Sequence, residues 1–299
     1  MNYTKLAIPL FVALAFGSAQ GWAQSLMDSE LASFAALGAS TVTNTGATTL
    51  TGNLGVSAGS AITGMASITV NGTNAATIGN TSVHQADAFA GAAQSQLAAA
   101  RTNLGLLGPG TLAPVDLGGL TLFPGVYTVP AGVSNLTGSL TLNGQGNANA
   151  LWVFQMPSTL ITSPGSVVDV INTGPGAGLY WNVGSSATLD TTTSFQGNIL
   201  ALTSISLNTG ASIGCGRALA SGGAVTMDGN TISNGCGGPE TQSSTGWNGG
   251  ISVPTGGGTP TLLSFSAVSN VPEPETYAMT FAGLALAVLM RRRNKGAAA

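Results

Sequence analysis

Residues 186–190, Ser186-Ala187-Thr188-Leu189-Asp190, follow the same pattern as residues 165–169, Gly165-Ser166-Val167-Val168-Asp169, and their aspartates are 21 positions apart. A second similar pair is Gly138-Ser139-Leu140-Thr141-Leu142-Asn143 and Gly223-Ala224-Val225-Thr226-Met227-Asp228. Apolar residues alternate with small polar ones, and Gly or Asn stands at the ends, which is typical of short strands and turns. A period near 20 residues predicts one coil of a three-sided β-solenoid, with three strands of about five residues and three corners.

The alternation predicts which residues face inward in such a solenoid. Leu, Val and Ile fill the core, while Thr, Ser and Asn point outward. Stacked coils lie about 4.8 Å apart, so outward side chains on one side form a flat two-dimensional array. Each coil buries its core against its neighbours, and the open ends of the stack need protection by a cap or a helix.

The charge of the chain excludes several classes of function. Charged residues make up 6% of the sequence, against about 25% in an average soluble protein. Between residues 24 and 270 only Arg101 and Arg217 are basic, against eight acids, so this region cannot neutralise a row of phosphates and nucleic acid is excluded as a partner. The only histidine, His84, excludes most His-based catalysis and multi-His metal sites, and we expect neither metal nor cofactor.

One window predicts a helix, over about residues 81–104. Asn80 or Thr81 is a suitable N-cap, and Gly105 with Gly108-Pro109 ends the pattern. His84 and Asp87 are predicted to form an i,i+3 pair or to contact the adjoining wall. The apolar stripe that supports the helix consists of Val83, Ala86, Ala90, Ala93, Leu97, Ala100 and Leu104.

Both ends of the chain are predicted to be targeting signals. Residues 1–23 are typical of a secretory signal peptide, with Lys5 ahead of a short apolar run and cleavage expected after Ala23; the alternative is a retained anchor helix. Near the C-terminus, Pro272-Glu273-Pro274 precedes an apolar segment over 277–290 and a basic cluster, Arg291-Arg292-Arg293-Asn294-Lys295. Residues 237–270 are rich in Gly, Ser, Thr and Pro and predict a flexible linker, in which Trp247 has no evident role.

The order of these C-terminal parts, residues 271–299, resembles the Pro-Glu-Pro sorting signal of Gram-negative bacteria. The resemblance implies a short transmembrane segment, a processing peptidase as partner and release to the cell surface or exopolysaccharide matrix. The alternative is a plain membrane anchor. Export also favours a disulfide between the only two cysteines, Cys215 and Cys236, which are 21 residues apart; two buried free cysteines are the alternative.

Seven stretches, in chain order, carry a second resemblance: Phe34-Ala35-Ala36-Leu37-Gly38-Ala39-Ser40-Thr41-Val42-Thr43-Asn44-Thr45-Gly46, Gly52-Asn53-Leu54-Gly55-Val56-Ser57-Ala58-Gly59-Ser60-Ala61-Ile62-Thr63-Gly64, Leu120-Thr121-Leu122-Phe123-Pro124-Gly125-Val126-Tyr127, Trp152-Val153-Phe154-Gln155, Trp181-Asn182-Val183-Gly184-Ser185-Ser186-Ala187-Thr188-Leu189, Gly197-Asn198-Ile199-Leu200-Ala201 and Gly216-Arg217-Ala218-Leu219-Ala220. Together they resemble the microbial ice-binding protein family. The resemblance implies a mostly β fold, a right-handed triangular and discontinuous β-solenoid over residues 24–236 with one long α-helix packed alongside. It also implies that the late coils stack on the early ones.

The motif of that family is Thr, then Ala or Gly, then any residue, then Thr or Asn. Residues 60–63, Ser60-Ala61-Ile62-Thr63, and 209–212, Thr209-Gly210-Ala211-Ser212, approach it with one Ser each in place of a motif residue. We expect the two windows to share one ice-binding face; the alternative is that they are ordinary outward positions of an inactive coil. The expected ice-binding residues are Ser60, Ala61, Thr63, Thr209, Gly210 and Ser212, with Ser57, Ser166, Ser185 and Thr188 as weaker candidates.

The resemblance implies a protein that adsorbs to ice outside the cell, shapes crystals and inhibits recrystallisation, with ice as its partner. Two rivals stay open. One is a β-helical polysaccharide-cleaving enzyme with Asp169 and Asp190 as paired carboxylates, although repeated turn residues explain that pair better. The other is an adhesin or structural protein of the exopolysaccharide matrix without affinity for ice.

Overall fold

Short alternating strands form the three sides of a coiled β-structure, and one helix lies along one of these sides. The computed structural model describes residues 23–236, 246–255 and 258–268. The apolar residues of the alternating pattern fill one continuous core inside the coils. The predicted fold class, mostly β with a solenoid and one main helix alongside, is confirmed.

The strands are two to nine residues long and follow one another through tight corners. In chain order they are β1 (Ala23–Gln24), β2 (Phe34–Gly38), β3 (Thr41–Thr45), β4 (Thr48–Thr51), β5 (Asn53–Val56), β6 (Ala61–Thr63), β7 (Ile68–Val70), β8 (Thr73–Asn74), β9 (Val83–Gln85), β10 (Thr111–Leu112), β11 (Thr121–Leu122), β12 (Gly125–Thr128), β13 (Ser139–Asn147), β14 (Leu151–Met156), β15 (Leu160–Ile161), β16 (Val167–Thr173), β17 (Gly178–Val183), β18 (Ala187–Leu189), β19 (Ser194–Ala201), β20 (Ile205–Leu207), β21 (Ser212–Ala220), β22 (Val225–Asp228), β23 (Thr231–Ser233), β24 (Ile251–Pro254) and β25 (Thr261–Leu262). The helices are α1 (Ser29–Ser33), α2 (Ala88–Leu106) and a 3₁₀ turn at Met65–Ser67.

Each side of the solenoid is a ladder of parallel strands. The helix side runs β10-β12-β14-β17-β19-β21-β2-β5-β9. The second side is a separate six-stranded sheet in the order β15-β18-β20-β22-β3-β6. The third side runs β11-β13-β16-β19-β21-β23-β4-β7, and β8 closes its end in antiparallel pairing. Strands β19 and β21 are long enough to belong to both the third side and the helix side.

The stack is discontinuous in chain order, as the resemblance implies. On the three sides, β21, β22 and β23 pair with β2, β3 and β4, so the last coil of the chain lies on the first one. Helix α2 then carries the chain to the opposite end of the stack, where β10 begins the remaining coils. Its 19 residues span about 28 Å, most of the height of about 38 Å that nine stacked strands give the ladder beneath it.

Coil length changes along the stack, which corrects the predicted repeat. Paired residues such as Thr188 and Ser206 are 18 positions apart in the narrow coils, whereas Phe154 and Trp181 are 27 apart in the wide ones. The extra residues of the wide coils lie at the corner between the third side and the helix side: Val167 and Trp181 are 14 positions apart there, whereas their partners Ser194 and Ile199 are only 5 apart. Inside the coils, the rings of Phe154 and Trp181 stack at 4.0 Å between centroids. Asp169 and Asp190 are therefore not equivalent: Asp169 lies on the third side, and Asp190 directly follows β18.

Helix α2 begins later than predicted. Residues 83–85 form β9, which extends the helix side by pairing with β5, and Asp87 is the N-cap, accepting a hydrogen bond from the Ala90 N–H at 2.8 Å. The Nδ1 of His84 lies 2.8 Å from Asp87 Oδ2, so the predicted pair forms, although between a strand and a helix cap. The buried stripe is Ala90, Ala93, Leu97, Ala100 and Leu104.

Part of the predicted linker is folded against the solenoid. Strand β24 pairs with β1 and β25, and Trp247 is 1% exposed. The indole N–H of Trp247 donates to Gln196 Oε1 at 3.3 Å, and its carbonyl accepts from Asn198 Nδ2 at 2.9 Å. The aromatic ring thus fills a gap at the corner between the third side and the helix side, which explains its presence in a polar segment.

The Cys215–Cys236 disulfide is formed, as predicted, and joins residues 21 positions apart. It ties β21 to the segment that follows β23. The predicted signal peptide lies outside the described residues except for its last position, and Pro272, Glu273, Pro274 and the apolar segment after them lie wholly outside. Within 23–236, 246–255 and 258–268, no helix is long and apolar enough to cross a membrane.

Candidate functional site

The outward surface of the six-stranded sheet carries an unbroken ladder of hydroxyl side chains. On five of its six strands, β18, β20, β22, β3 and β6, each central outward residue is in register with the next. The inward neighbours, such as Leu189, Leu207 and Val42, are buried, which fixes the outward direction of the residues between them. We call this surface the Ser/Thr face; its central ladder is Thr188, Ser206, Thr226, Thr43 and Thr63.

Further small polar groups flank this ladder. Thr41 pairs with Ala61 on one side of it, and Thr45 pairs with Asp228 on the other. Neighbouring strands are about 4.8 Å apart, and residues i and i+2 are about 6.8 Å apart. The Ser/Thr face is therefore a grid of methyl and hydroxyl groups whose central ladder extends over about 19 Å across its five strands.

The six-stranded sheet is regular, and the central hydroxyls are held in place. None of its strand pairs contains a shift of register. The Thr43 hydroxyl donates to Thr226 Oγ1 at 3.2 Å across the junction between early and late chain. Because strands that are buried on one face hold their register, the grid is rigid before any ligand arrives.

The carboxylates of the Ser/Thr face lie along one edge of it, and each accepts hydrogen bonds. Asp190 Oδ1 accepts from Asn208 Nδ2 at 2.9 Å and from the Thr191 N–H at 2.7 Å, while Asp228 Oδ2 accepts from the Thr209 hydroxyl. The side-chain hydrogen bond from Asn208, followed by the backbone hydrogen bond from Thr191, lowers the pKa of Asp190 below its usual value. The centre of the face is uncharged.

The structure brings some of the predicted residues together and separates others. Ala61, Thr63 and Thr188 lie on the Ser/Thr face, and Ser60 directly precedes its edge strand β6. Thr209 and Gly210 lie at the corner after β20, whereas Ser212 lies on the third side in register with Ser194. The prediction that both motif windows share one face is therefore wrong, because the second window straddles a corner.

The weaker candidates lie mostly away from this surface. Ser57 borders a shallow groove beside α2, with Gln94 and Ser95. Ser166 is buried, and its hydroxyl donates to the Leu136 carbonyl at 2.8 Å. Ser185 is at the corner before β18. Of these candidates only Thr188 belongs to the central ladder.

Sequence reasoning missed five members of the Ser/Thr face: Thr41, Thr43, Thr45, Ser206 and Thr226. A usable signal exists in Thr41-Val42-Thr43-Asn44-Thr45, where three threonines alternate with inward residues. The four-residue motif did not include them, because it describes one strand at a time. The ladder becomes visible only when the register between early and late coils is known.

No other chemistry is apparent at this surface. In the part of the chain that the structure describes, no three His, Cys, Asp or Glu side chains are grouped closely enough to hold a metal ion. Asp169 and Asp190 lie on different sides of the solenoid, which removes the basis for reading them as a catalytic pair.

Known proteins match both the body and the tail of the chain. A family model described as Ice-binding-like matches residues 36–233, and a model of the PEP-CTERM protein-sorting motif matches residues 270–294. An ice-binding protein of Nostoc sp. (strain HG1) is 48% identical over 236 residues, which cover 78% of this chain and 83% of the relative.

Solved structures agree with these matches. The crystal structure of an ice-binding protein from an Antarctic biological consortium has a TM-score of 0.62 and 37% identity, covering 76% of this chain and 96% of that one. An ice-binding protein from the Antarctic ascomycete Antarctomyces psychrotrophicus has a TM-score of 0.62 and 35% identity, covering 69% of this chain and 97% of that one.

Proposed function

The chain belongs to the Ice-binding-like family, and we propose that it adsorbs to ice through the Ser/Thr face, shapes crystals and inhibits their recrystallisation outside the cell. The observation that carries this proposal is the in-register ladder Thr188–Ser206–Thr226–Thr43–Thr63. The ladder supplies a flat, uncharged and rigid surface, which adsorption to a crystal lattice requires.

The proposed mechanism is surface matching rather than chemistry. Methyl and hydroxyl groups at fixed spacing hold water in positions that a growing crystal can share. Each contact is weak, so affinity comes from many simultaneous contacts on a surface that loses little entropy on binding. Charged side chains would keep water in shells that do not fit a lattice, which is why the uncharged centre of the face matters.

The tail supports the proposed location. A PEP-CTERM sorting motif indicates export and delivery to the cell surface or outside it. Its processing peptidase is the proposed cellular partner, and exopolysaccharide at the surface is a further one. We propose no catalytic activity, because the two aspartates considered as a pair are on different sides of the solenoid.

The test is to freeze droplets that contain the purified chain and to follow crystal shape and recrystallisation. We expect faceted crystals from the wild type and round crystals from Thr43→Tyr, because a ring at the centre of the ladder holds the lattice away from the grid. Thr141→Tyr is the matched control, since Thr141 points outward on the third side. Round crystals from the wild type overturn the proposal that the protein binds ice. Faceted crystals from Thr43→Tyr overturn the proposal that the Ser/Thr face is the binding surface.

A further inference from the structure

The last described stretch of the chain, residues 258–268, lies along the corner between the third side and the helix side. We call it the exit segment. The Ala148 N–H donates to the Ser266 carbonyl at 2.6 Å, and the Val268 N–H donates to the Gly146 carbonyl at 2.9 Å. The chain is therefore fixed to the solenoid as far as Val268, and its continuation starts from this corner.

This corner lies across the core from the Ser/Thr face. Strands β19 and β21 run from the third side to the helix side, so these two sides meet at the corner that the exit segment covers. The six-stranded sheet is the remaining side of the solenoid. A surface that contacts the exit segment therefore leaves the Ser/Thr face free.

The exit segment exposes large apolar side chains. Leu262, Leu263 and Phe265 are 50%, 39% and 67% exposed. Phe123 is also exposed and lies at the same corner in the adjoining coil, because it follows β11, the partner of β13. We call these four residues the apolar corner. Exposed apolar groups that cluster in this way indicate an interaction surface, whereas single ones are ordinary.

The surroundings of the apolar corner are uncharged. Residues 241–272 contain no Asp, Glu, Lys or Arg, and neither do residues 142–150 of the solenoid beneath them. A partner that is held by ion pairs has nothing to bind there. Exposed Leu and Phe side chains on an uncharged surface suit the boundary between the headgroups and the acyl chains of a lipid bilayer.

The sequence that follows the exit segment indicates the same partner. The sorting motif matches residues 270–294 and so begins two positions after Val268. Its residues 277–290 are apolar and uncharged, and the basic cluster at 291–295 follows them, a composition that favours a lipid environment. Even a fully extended chain places the start of this run at most about 32 Å from Val268. The apolar corner therefore stays close to any bilayer that holds the run.

We propose that the apolar corner rests on a lipid membrane while the sorting tail is attached, with Leu262, Leu263 and Phe265 in the interfacial zone. Because this corner lies across the core from the Ser/Thr face, the contact points that face away from the membrane. The lipid contact does not require the face to bind ice; only the benefit of the orientation rests on the proposed function.

A fluorescent label on the full chain in lipid vesicles tests this contact. Ser264→Cys places an environment-sensitive dye in the exit segment, where the Ser264 side chain is exposed and its carbonyl accepts from Asn149 Nδ2 at 3.0 Å. Ser206→Cys places the same dye at the centre of the Ser/Thr face and is the matched control. Both native cysteines are paired in the disulfide, so the dye reacts with the introduced thiol.

We expect dissolved iodide to quench the dye in the exit segment several-fold less than the dye on the Ser/Thr face. Phosphatidylcholine vesicles and vesicles with added phosphatidylglycerol should protect it equally, because the apolar corner is uncharged. Adding Leu263→Ser and Phe265→Ser keeps the dye and the tail but removes apolar groups from the corner. Quenching should then rise to the level of the Ser/Thr face, and the fold should persist because both side chains are exposed.

Three outcomes overturn the proposal. Equal quenching of the two dyes places the apolar corner in water. Protection that survives the two Ser substitutions comes from the tether alone and not from the apolar side chains. Protection that rises with the protein-to-lipid ratio shows that a second copy of the chain covers the corner. None of these measurements involves ice, so failure of the lipid contact is distinguishable from failure of the proposed function.

Discussion

Two sides of the solenoid expose similar residues and differ in geometry. The third side has its own hydroxyl ladder, Ser194–Ser212–Thr231–Thr49–Thr69. However, the pairs β13/β16 and β19/β21 contain register shifts where these strands leave the third side, and the exposed carboxylate of Asp169 stands opposite Thr141. The Ser/Thr face has neither feature at its centre. Hydroxyl composition alone therefore does not define a flat adsorbing surface.

The Ser/Thr face and the third side differ in geometry because their strands differ in length. The strands of the Ser/Thr face have two to five residues and end at a corner. On the third side, β19 and β21 continue around the next corner to the helix side, and the chain bends there at Gly197 and Gly216. A Cβ on Gly216 would lie 2.0 Å from the Gly197 carbonyl oxygen, so this bend requires glycine.

A single added charge should produce the largest difference in ice shaping between the Ser/Thr face and the third side. Ser206→Asp places a carboxylate at the centre of the Ser/Thr face, between Thr188 and Thr226. We expect loss of most ice-shaping activity, because the hydration shell of the carboxylate interrupts the grid. Crystal shape in a freezing droplet measures the effect.

Ser194→Asp is the matched change on the third side, where Ser194 is exposed. It should leave crystal shape unchanged. If Ser194→Asp reduces activity as much as Ser206→Asp does, the two sides are functionally equivalent and the comparison fails.

How much of the fold and of the Ser/Thr face can be predicted from the sequence depends on whether the contacts that decide each feature are local or distant in the chain. The alternating pattern of Ala187-Thr188-Leu189 predicts its inward and outward residues correctly, because alternation is a local property of a strand. Asp169 and Asp190 mislead, since their spacing of 21 residues suggests one coil, although Asp169 lies on the third side and Asp190 directly follows β18. Whether a coil has 18 or 27 residues depends on how many residues lie at the corner between the third side and the helix side, and the alternation within a strand does not contain that information.

Helix α2 and the predicted linker show the same limit. An apolar stripe that starts at Val83 favours a helix, but pairing with β5 draws residues 83–85 into a strand. Trp247 lies in a segment whose composition predicts a tether, and its burial depends on a gap between distant coils. In both cases tertiary contacts override the local preference.

Removing the disulfide should affect stability and spare the Ser/Thr face. Replacement of both Cys215 and Cys236 by Ala opens a loop of 21 positions, and we expect the free energy of unfolding to fall by about 2–4 kcal/mol. Thermal unfolding followed by circular dichroism measures the loss. Ice shaping near the freezing point should persist, because the bond lies at the corner between the third side and the helix side.

A wild-type unfolding temperature in the double variant would show that the bond adds nothing to the stack. Loss of ice shaping in a variant that is still folded would show that the third side and the Ser/Thr face are coupled.

A substitution at the corner between the Ser/Thr face and the third side should reduce ice shaping by an intermediate amount. Thr209→Tyr adds a ring beside the Ser/Thr face and removes the hydroxyl that donates to Asp228. We expect ice shaping to weaken by a few-fold rather than disappear, because the central ladder stays clear. Recrystallisation inhibition over a dilution series measures the change. Complete loss would extend the adsorbing surface around the corner to Ser212.

The smallest expected effect concerns the carboxylate at the edge of the Ser/Thr face. Hydrogen bonds from Asn208 and Thr191 lower the pKa of Asp190, so the ionised form is favoured by folding. Its contribution to stability is complete above the unfolded pKa of about 3.9 and is lost as the pH falls through the lower folded pKa. Because the group is exposed to solvent, the contribution is small.

Unfolding temperatures near neutral pH and at about pH 3 test this contribution. Asp190→Asn should narrow the difference between the two temperatures by on the order of 1 °C. Asn208→Ala, which keeps the carboxylate but removes its main donor, should narrow it similarly. If neither variant changes the difference, the hydrogen bonds to Asp190 do not contribute to stability and do not distinguish this edge from the third side.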